Sequence, residues 1–478
     1  MKSLFLFCCM VICGFIGTIA AQDNHPNLDY FHKNVEKNID SRRFGYEAIE
    51  PSIEKLKHHS DFKVELLGQS VEGRPIQLVS WGTGEESILM WSQMHGDEPT
   101  ATMAMMDLFN FLMEEQDERG EALKAKWKES LSLYFIPMLN PDGADQFRRH
   151  NAMGIDINRD ALKLNTPEGR ALKAAKDRLQ PDWGFNLHDQ SRYYQAGHQP
   201  YPATFSFLAP AYNEAKDING NRMAAMQLIV ALNELAQSQL PGQVGRYDDT
   251  FEPRAFGDNM QKWGVRTILI ECGGNPSDFE KQDIRKNHFL FYLHIFDQII
   301  NQSYQQYALS DYEAIPFNRR RMMELVVRNA DYTYLGQHTH LDFGYQFVEY
   351  DAKDHRSGYV KGSISEIGDL TGYQGYQELD ASDLVLEKGK LYPNTFKQLT
   401  DLTPDRIKQL HRAGYTAVKL KNLPPKAERY NLPIQLRSAK TKQVDNEIKL
   451  YGNPAFVLRD QADRVVGVIV NGVYYPIE

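Results

Sequence analysis

Between residues 62 and 300, short apolar runs alternate with longer stretches of helical spacing, and this alternation restricts the possible fold more than any other feature of the chain. Residues 62–68 and 75–81 read as a hairpin joined through Glu72-Gly73-Arg74. Residues 87–94 (SILMWSQM) read as a buried strand, and 131–137 (LSLYFIP), 185–188 and 267–271 (TILIE) as further strands. Helical patterns run over 99–115, 222–239 and 278–301, and Thr166-Pro167-Glu168 opens another with an N-cap and a proline in its first turn. Strands alternating with helices predict an α/β fold: a mixed, largely parallel twisted sheet with helices on both faces.

Beyond residue 305 the texture changes to short runs rich in Tyr, Gly and Val, such as 345–350, 384–386 and 465–475. Val470-Asn471-Gly472-Val473 carries a hairpin turn signal, and one helical pattern, 403–413, interrupts the runs. The expected organisation is an α/β domain over 22–305 and a mostly β accessory domain over 306–478.

Lys2 precedes an apolar run over 4–21, and Thr18-Ile19-Ala20-Ala21-Gln22 offers small residues for cleavage after Ala20 or Ala21. Residues 1–21 are therefore expected to be a signal peptide, making the protein secreted or periplasmic, with no stable membrane insertion after cleavage. Three of the four cysteines lie in this segment, which leaves Cys272 alone and the mature chain without an intramolecular disulfide. The formal net charge of −9 provides no basic footprint, so nucleic acid is not an expected partner.

The residues able to do chemistry stand at or just beyond the ends of the predicted strands. His95 and Glu98 follow one, His188 ends another and Glu271 a third; Arg149, Asn158 and Arg159 follow the strand that ends at Pro137. In a parallel-type sheet such ends converge on one edge, where open α/β sheets gather their ligands. Two His and one Glu, with a fourth position open to water, are what hydrolytic zinc takes from a protein, and Glu271 is then a carboxylate that need not bind metal. A non-ligating carboxylate can move a proton, an arginine can neutralise an oxyanion, and an arginine fork beside an asparagine suits a substrate carboxylate.

The order His95-x-x-Glu98, Asn140-Pro141-Asp142-Gly143, Arg149, Asn158-Arg159, His188 and Glu271 resembles the zinc carboxypeptidase family, the carboxypeptidase A-like metallopeptidases, in a bacterial-type form. The resemblance covers roughly residues 60 to 300. It implies one zinc ion per chain held by His95, Glu98 and His188, with Glu271 as catalytic base and acid. It further implies that Arg149 stabilises the oxyanion and that Asn158 and Arg159 grip the carboxylate of a peptide or cell-wall-peptide substrate. The implied activity is removal of a C-terminal residue; the alternative on the same scaffold is a zinc amidase or deacylase of cell-wall peptides or N-acyl amino acids.

Some positions stand apart from that pattern. Arg148 competes with Arg149 for the oxyanion role, and Gly96-Asp97 replaces a positively charged residue of the digestive enzymes. Tyr247 sits near where relatives place a tyrosine that closes over substrate, with Arg254 an equal pocket candidate. Cys272 is expected to pack, its side chain directed away from that of Glu271. His338, His340, Asp342 and His355 would form a second metal site if their strands brought them together, though polar residues on a solvent-facing strand are the commoner case.

Overall fold

The computed structural model describes residues 25–276, 278–352 and 354–477; the expected signal peptide lies outside them. The chain divides into two compact units, one running to Arg320 and the other from Arg321 to Glu478. The first unit thus extends past the expected boundary at 305. Tyr312 and Ile315 join its hydrophobic core, and the short strand Asn318–Arg320 pairs with Tyr194–Ala196.

The first unit is built on an eight-stranded sheet. In chain order its strands are β1 (Phe62–Gln69), β2 (Pro75–Trp81), β3 (Glu86–Trp91), β4 (Leu131–Ile136) and β5 (Trp183–Asp189). The outlying β6 (Tyr194–Ala196) follows, then β7 (Phe205–Leu208), β8 (Val244–Arg246) and β9 (Arg266–Cys272), with β10 (Asn318–Arg320) completing the β6 pair. The order across the sheet is β1-β2-β4-β3-β5-β9-β7-β8. Strands β4, β3, β5 and β9 run parallel to one another, while β1, β2 and β7 pair antiparallel.

Side-chain alternation explains why the central strands read as continuous apolar runs. In β3, Ile88 and Met90 enter one core while Leu89 and Trp91 enter the other, so both faces of the sheet are dry. In β5 and β9, Trp183, Phe185, Leu187, Ile268, Ile270 and Cys272 all belong to the first core. His188 and Glu271 therefore point to the opposite face, as the period of two requires. Cys272 is fully buried in that first core with its Sγ 3.2 Å from His288 Nδ1, which is the packing role expected of it.

The helices fall where the sequence suggested: Thr100–Met113, Pro167–Leu179, Gly220–Gln239 and Gln282–Asn301. The Thr166 hydroxyl caps the second by accepting from Gly169 N at 3.0 Å.

The C-terminal unit is strand-rich. A four-stranded sheet is ordered β13 (Gly358–Gly368), β12 (Gln337–Asp351), β11 (Met322–Tyr334), β14 (Gln374–Asp380). A second joins β15 (Val385–Lys388), β19 (Phe456–Arg459), β20 (Val465–Val470) and β21 (Val473–Pro476). A third is parallel: β16 (Lys390–Phe396), β17 (Tyr415–Leu420) and β18 (Gln435–Ser438), with helix Pro404–Arg412 crossing between the first two. Asn471 and Gly472 both take positive φ, 54° and 75°, giving the type I′ turn that the Asn-Gly pair favours.

Candidate metal centre and active site

The turn after β3 places the first two donors, and the Asn140 motif holds that turn. Asn140 N donates to Gln93 O at 2.9 Å and Asn140 Nδ2 to Met94 O at 3.3 Å, while Asn140 Oδ1 accepts from Gly143 N at 2.9 Å. Gly96 packs directly on the same motif. A Cβ on Gly96 would stand 1.9 Å from Gly143 C and 2.1 Å from Ala144 N, so no side chain fits there. Gly96 is thus explained by close backbone approach, independently of substrate.

His188 and Glu271 are register partners on the parallel strands β5 and β9. Their shared face is the one that meets the turn carrying His95 and Glu98. His95 Nδ1 lies 2.8 Å from Glu98 Oε1, His188 Nδ1 lies 2.6 Å from Glu98 Oε2, and the two Nδ1 atoms are 3.2 Å apart. Among the described residues these three form the group able to hold a metal ion, and all are buried. The donor chemistry fits zinc. Two imidazoles and one carboxylate are the hydrolytic set, and tetrahedral bonds of about 2.0–2.1 Å put ligand atoms roughly 3.3 Å apart. Burial opposes ionisation of Glu98, but the His95 and His188 imidazoles outweigh it and hold its carboxyl well below the usual range.

Glu271 is in a different state. Burial, reinforced by the nearby Glu98 charge, pushes its carboxyl well above the ordinary value, and its Oε2 has no hydrogen-bond partner among the described residues. A buried carboxylate kept out of the donor set and poised to take a proton is suited to acid–base work.

Arg149 reaches the triad: Nη1 stands 3.1 Å from His95 Nδ1 and 3.5 Å from Glu98 Oε1. Arg148 turns elsewhere, donating to Asn151 O at 3.3 Å. Of the two, Arg149 is the one beside the centre.

Asp156 escaped the sequence reading. Its Oδ1 is 3.0 Å from His95 Nε2 and its Oδ2 accepts from Arg149 Nε and Nη2 at 3.1 and 2.9 Å. The one signal in the sequence was its place before Ile157–Arg159, where it caps the short turn by accepting from Asn158 N at 2.9 Å. Burial works against the Asp156 charge, yet His95 and Arg149 prevail and depress its pKa strongly.

Asn158 and Arg159, the pair expected to bind a carboxylate, are already partnered within the protein. Asn158 Oδ1 accepts from Phe256 N at 2.9 Å, and Arg159 Nε lies 3.4 Å from Glu252 Oε2. Arg254 closes on the same Glu252 through Nε and Nη2 at 2.9 and 2.8 Å. Tyr247 follows β8 with its ring 5.9 Å from that of Tyr194. Burial and the Glu271 carboxylate both raise its phenol pKa, which puts Tyr247 within electrostatic reach of Glu271. Asp97 is pushed up to about 6, by burial and then by Glu98.

The second metal group is not assembled. His338 faces Asp331 at 3.2 Å and His355 faces Asp351 at 3.7 Å. Asp342 accepts from Asn329 N at 2.9 Å and Leu370 N at 3.2 Å. The strands carry these residues into separate local pairs.

An α/β domain with a buried His–Glu–His triad at the carboxyl edge of its parallel strands has the architecture of a zinc peptidase domain. Residues 49–250 match the model of the zinc carboxypeptidase family. The match includes His95, Glu98, Arg149, Asn158, Arg159, His188 and Tyr247 but ends before Glu271, whose place rests on geometry.

Among curated proteins the chain is similar to Carboxypeptidase SOL1 of Arabidopsis thaliana, 25% identical over 43% of this chain and 51% of that protein. It is also similar to Carboxypeptidase 2 of Trichophyton tonsurans, 30% identical over 28% of this chain and 24% of that one. The chain thus spans about half the length of the first and a quarter of the second. A solved metallo-carboxypeptidase from Burkholderia cenocepacia aligns with a TM-score of 0.45 and 16% identity over 55% of this chain and 70% of that one. No helix among the described residues is long and apolar enough to cross a membrane.

Proposed function

We propose that the protein is a zinc metallocarboxypeptidase that removes the C-terminal residue of peptides. The observation that carries this reading is the buried triad His95, Glu98 and His188 beside an unpartnered buried Glu271. A zinc ion held by the triad would supply Lewis-acid polarisation of the scissile carbonyl and make water more acidic.

The chain's own residues do the rest. Glu271 takes a proton from the attacking water and returns it to the leaving amine; its raised pKa, caused by burial and Glu98, favours holding that proton. Arg149 offsets the negative charge that develops on the carbonyl oxygen, and Asp156 fixes the guanidinium and the His95 ring together. Asn158 and Arg159 receive the substrate's terminal carboxylate, which competes with Glu252 for the Arg159 fork. Tyr247 covers the bound residue. Export belongs to the same reading, on the charge and apolar pattern of residues 1–21, and N-terminal sequencing of the mature protein tests it.

The experiment is product analysis by mass spectrometry on matched peptides with free and amidated C-termini, alongside N-acyl amino acids and cell-wall peptides, with and without chelator. Loss of one C-terminal residue from the free acids alone, abolished by chelator, is the expected result. Equal cleavage of the amidated peptides overturns it and favours the amidase or deacylase. Glu271→Gln is expected to retain zinc while losing roughly a thousandfold or more in kcat; normal turnover by that variant removes Glu271 from the chemistry.

A further inference from the structure

The C-terminal unit contains a cavity of about 460 Å³ whose lining includes Lys361, Tyr430, Gln435, Arg437 and Asn453. That is an ordinary size for a small-molecule site. Its chemistry is lopsided. Lys361 and Arg437 form no ion pair among the described residues, whereas the one lining carboxylate, Asp445, is taken by Lys449. Arg437 Nη2 donates to Gln435 Oε1 at 2.7 Å, but its buried Nε has no partner among the described residues. Burial lowers the Arg437 pKa, and no carboxylate offsets it; the Tyr430 phenol is the sole opposing influence. Burying a polar N–H without a hydrogen bond is costly, so the unpartnered Nε makes this guanidinium a ready partner for an anion in the cavity.

A second unpartnered atom has the opposite need: Asn453 Oδ1 is buried with no donor to it among the described residues. Its orientation is forced by Asn471, whose Nδ2 donates to Val360 O and Tyr430 O at 3.2 and 3.1 Å. Asn471 Oδ1 therefore accepts, from Gly362 N at 2.7 Å and from Asn453 Nδ2 at 3.0 Å. That leaves Asn453 Oδ1 as an acceptor that wants a hydroxyl or amine. Gln435 ties the two ends together, donating to Asn453 O at 3.1 Å while accepting from Arg437. Tyr430 lines the cavity, and its ring packs on Tyr359 behind it at 5.4 Å. Flat aromatic surface beside hydrogen-bonding groups suits a sugar-like ring.

We propose that this cavity binds an acidic sugar-type ligand, a hydroxylated ring whose carboxylate or phosphate meets Arg437 and Lys361 while a hydroxyl donates to Asn453 Oδ1. The site is separate from the hydrolytic centre and does not depend on the peptidase reading.

Isothermal titration of the full chain with glucuronate, glucose 6-phosphate, inorganic phosphate and glucose tests it. Saturable binding of one molecule per chain by glucuronate or glucose 6-phosphate is expected, with glucose about tenfold weaker or worse, and the two acids distinguish carboxylate from phosphate. Arg437→Gln is expected to lose about tenfold or more, and Asn453→Ala to weaken the sugar acids without affecting inorganic phosphate. Because Arg437→Gln removes a half-buried group, its circular dichroism is compared with wild type, and Lys361→Gln serves as a second variant expected to weaken both acids several-fold. No heat with either acid, equal binding of glucose, inorganic phosphate binding as tightly as the sugar acids, or unchanged affinity in both cation variants each overturns the proposal.

Discussion

His188 and Glu271 stand opposite each other as register partners on parallel strands, and their side chains share the one sheet face on which the His95–Glu98 turn lands. Among the carboxylates at this edge, Glu98 is held ionised by two imidazoles, and Glu271 is pushed toward its protonated form by burial. The proposed division of labour, Glu98 as ligand and Glu271 as proton carrier, rests on those environments.

Gly96→Ala tests how tightly the donor turn is built. The added methyl would meet the backbone of Gly143 and Ala144 at 1.9 and 2.1 Å, so the turn itself must move. We expect a loss of about 2–3 kcal/mol in stability and a marked loss of zinc, measured by denaturant unfolding and metal analysis. Wild-type zinc content and stability would contradict the close approach.

Asp156→Asn keeps the shape but weakens the charge that binds His95 and Arg149 together. Zinc affinity is expected to fall by about 10–100-fold, read by competition with a chelating dye. Unchanged affinity would mean that His95 needs no help from Asp156.

Asp249 anchors the loop carrying Tyr247 and Glu252. It accepts from the buried Arg222 Nη2 at 3.0 Å and pairs with Lys216 at 2.6 Å. Asp249→Ala leaves Arg222 without its carboxylate, at an expected cost of about 2 kcal/mol. KM for free-acid peptides should rise several-fold with kcat nearly constant, since the loop carries proposed substrate contacts while Asp249 and Arg222 have no proposed part in the chemistry. A fall in kcat at constant KM would place this anchor in the chemistry instead.

His288 predicts an acid limb in stability. Burial alone holds its imidazole down at about 3, against about 6.5 unfolded. Below pH 6.5 the unfolded chain takes up a proton that the folded chain refuses, so stability falls as pH falls, down to about pH 3 where the effect levels off. The contribution approaches about 1.4 kcal/mol per pH unit inside that window. His288→Leu should flatten the profile between pH 6 and 4 in denaturant titrations; an unchanged slope would assign the acid limb to other groups.

Much of this site was legible without coordinates because each donor follows its own strand, and strand ends of a parallel-type sheet share an edge. His95, Glu98, His188 and Glu271 could be named in order, as could the α/β alternation and the packing of Cys272, since a period of two separates neighbours on one strand. Periodicity describes a residue's own element only. It could not announce that Asp156 spans His95 and Arg149, that Glu252 already occupies the Arg159 fork, or that Gly96 is small because Gly143 lies against it. The same limit kept His338, His340 and His355 open as a metal group until the C-terminal unit paired His338 with Asp331 and His355 with Asp351. The sequence by itself determined which chemical groups reach the edge of the sheet. Only the tertiary structure decided their partners and charge states, because those depend on distances and burial between residues tens of positions apart in the chain.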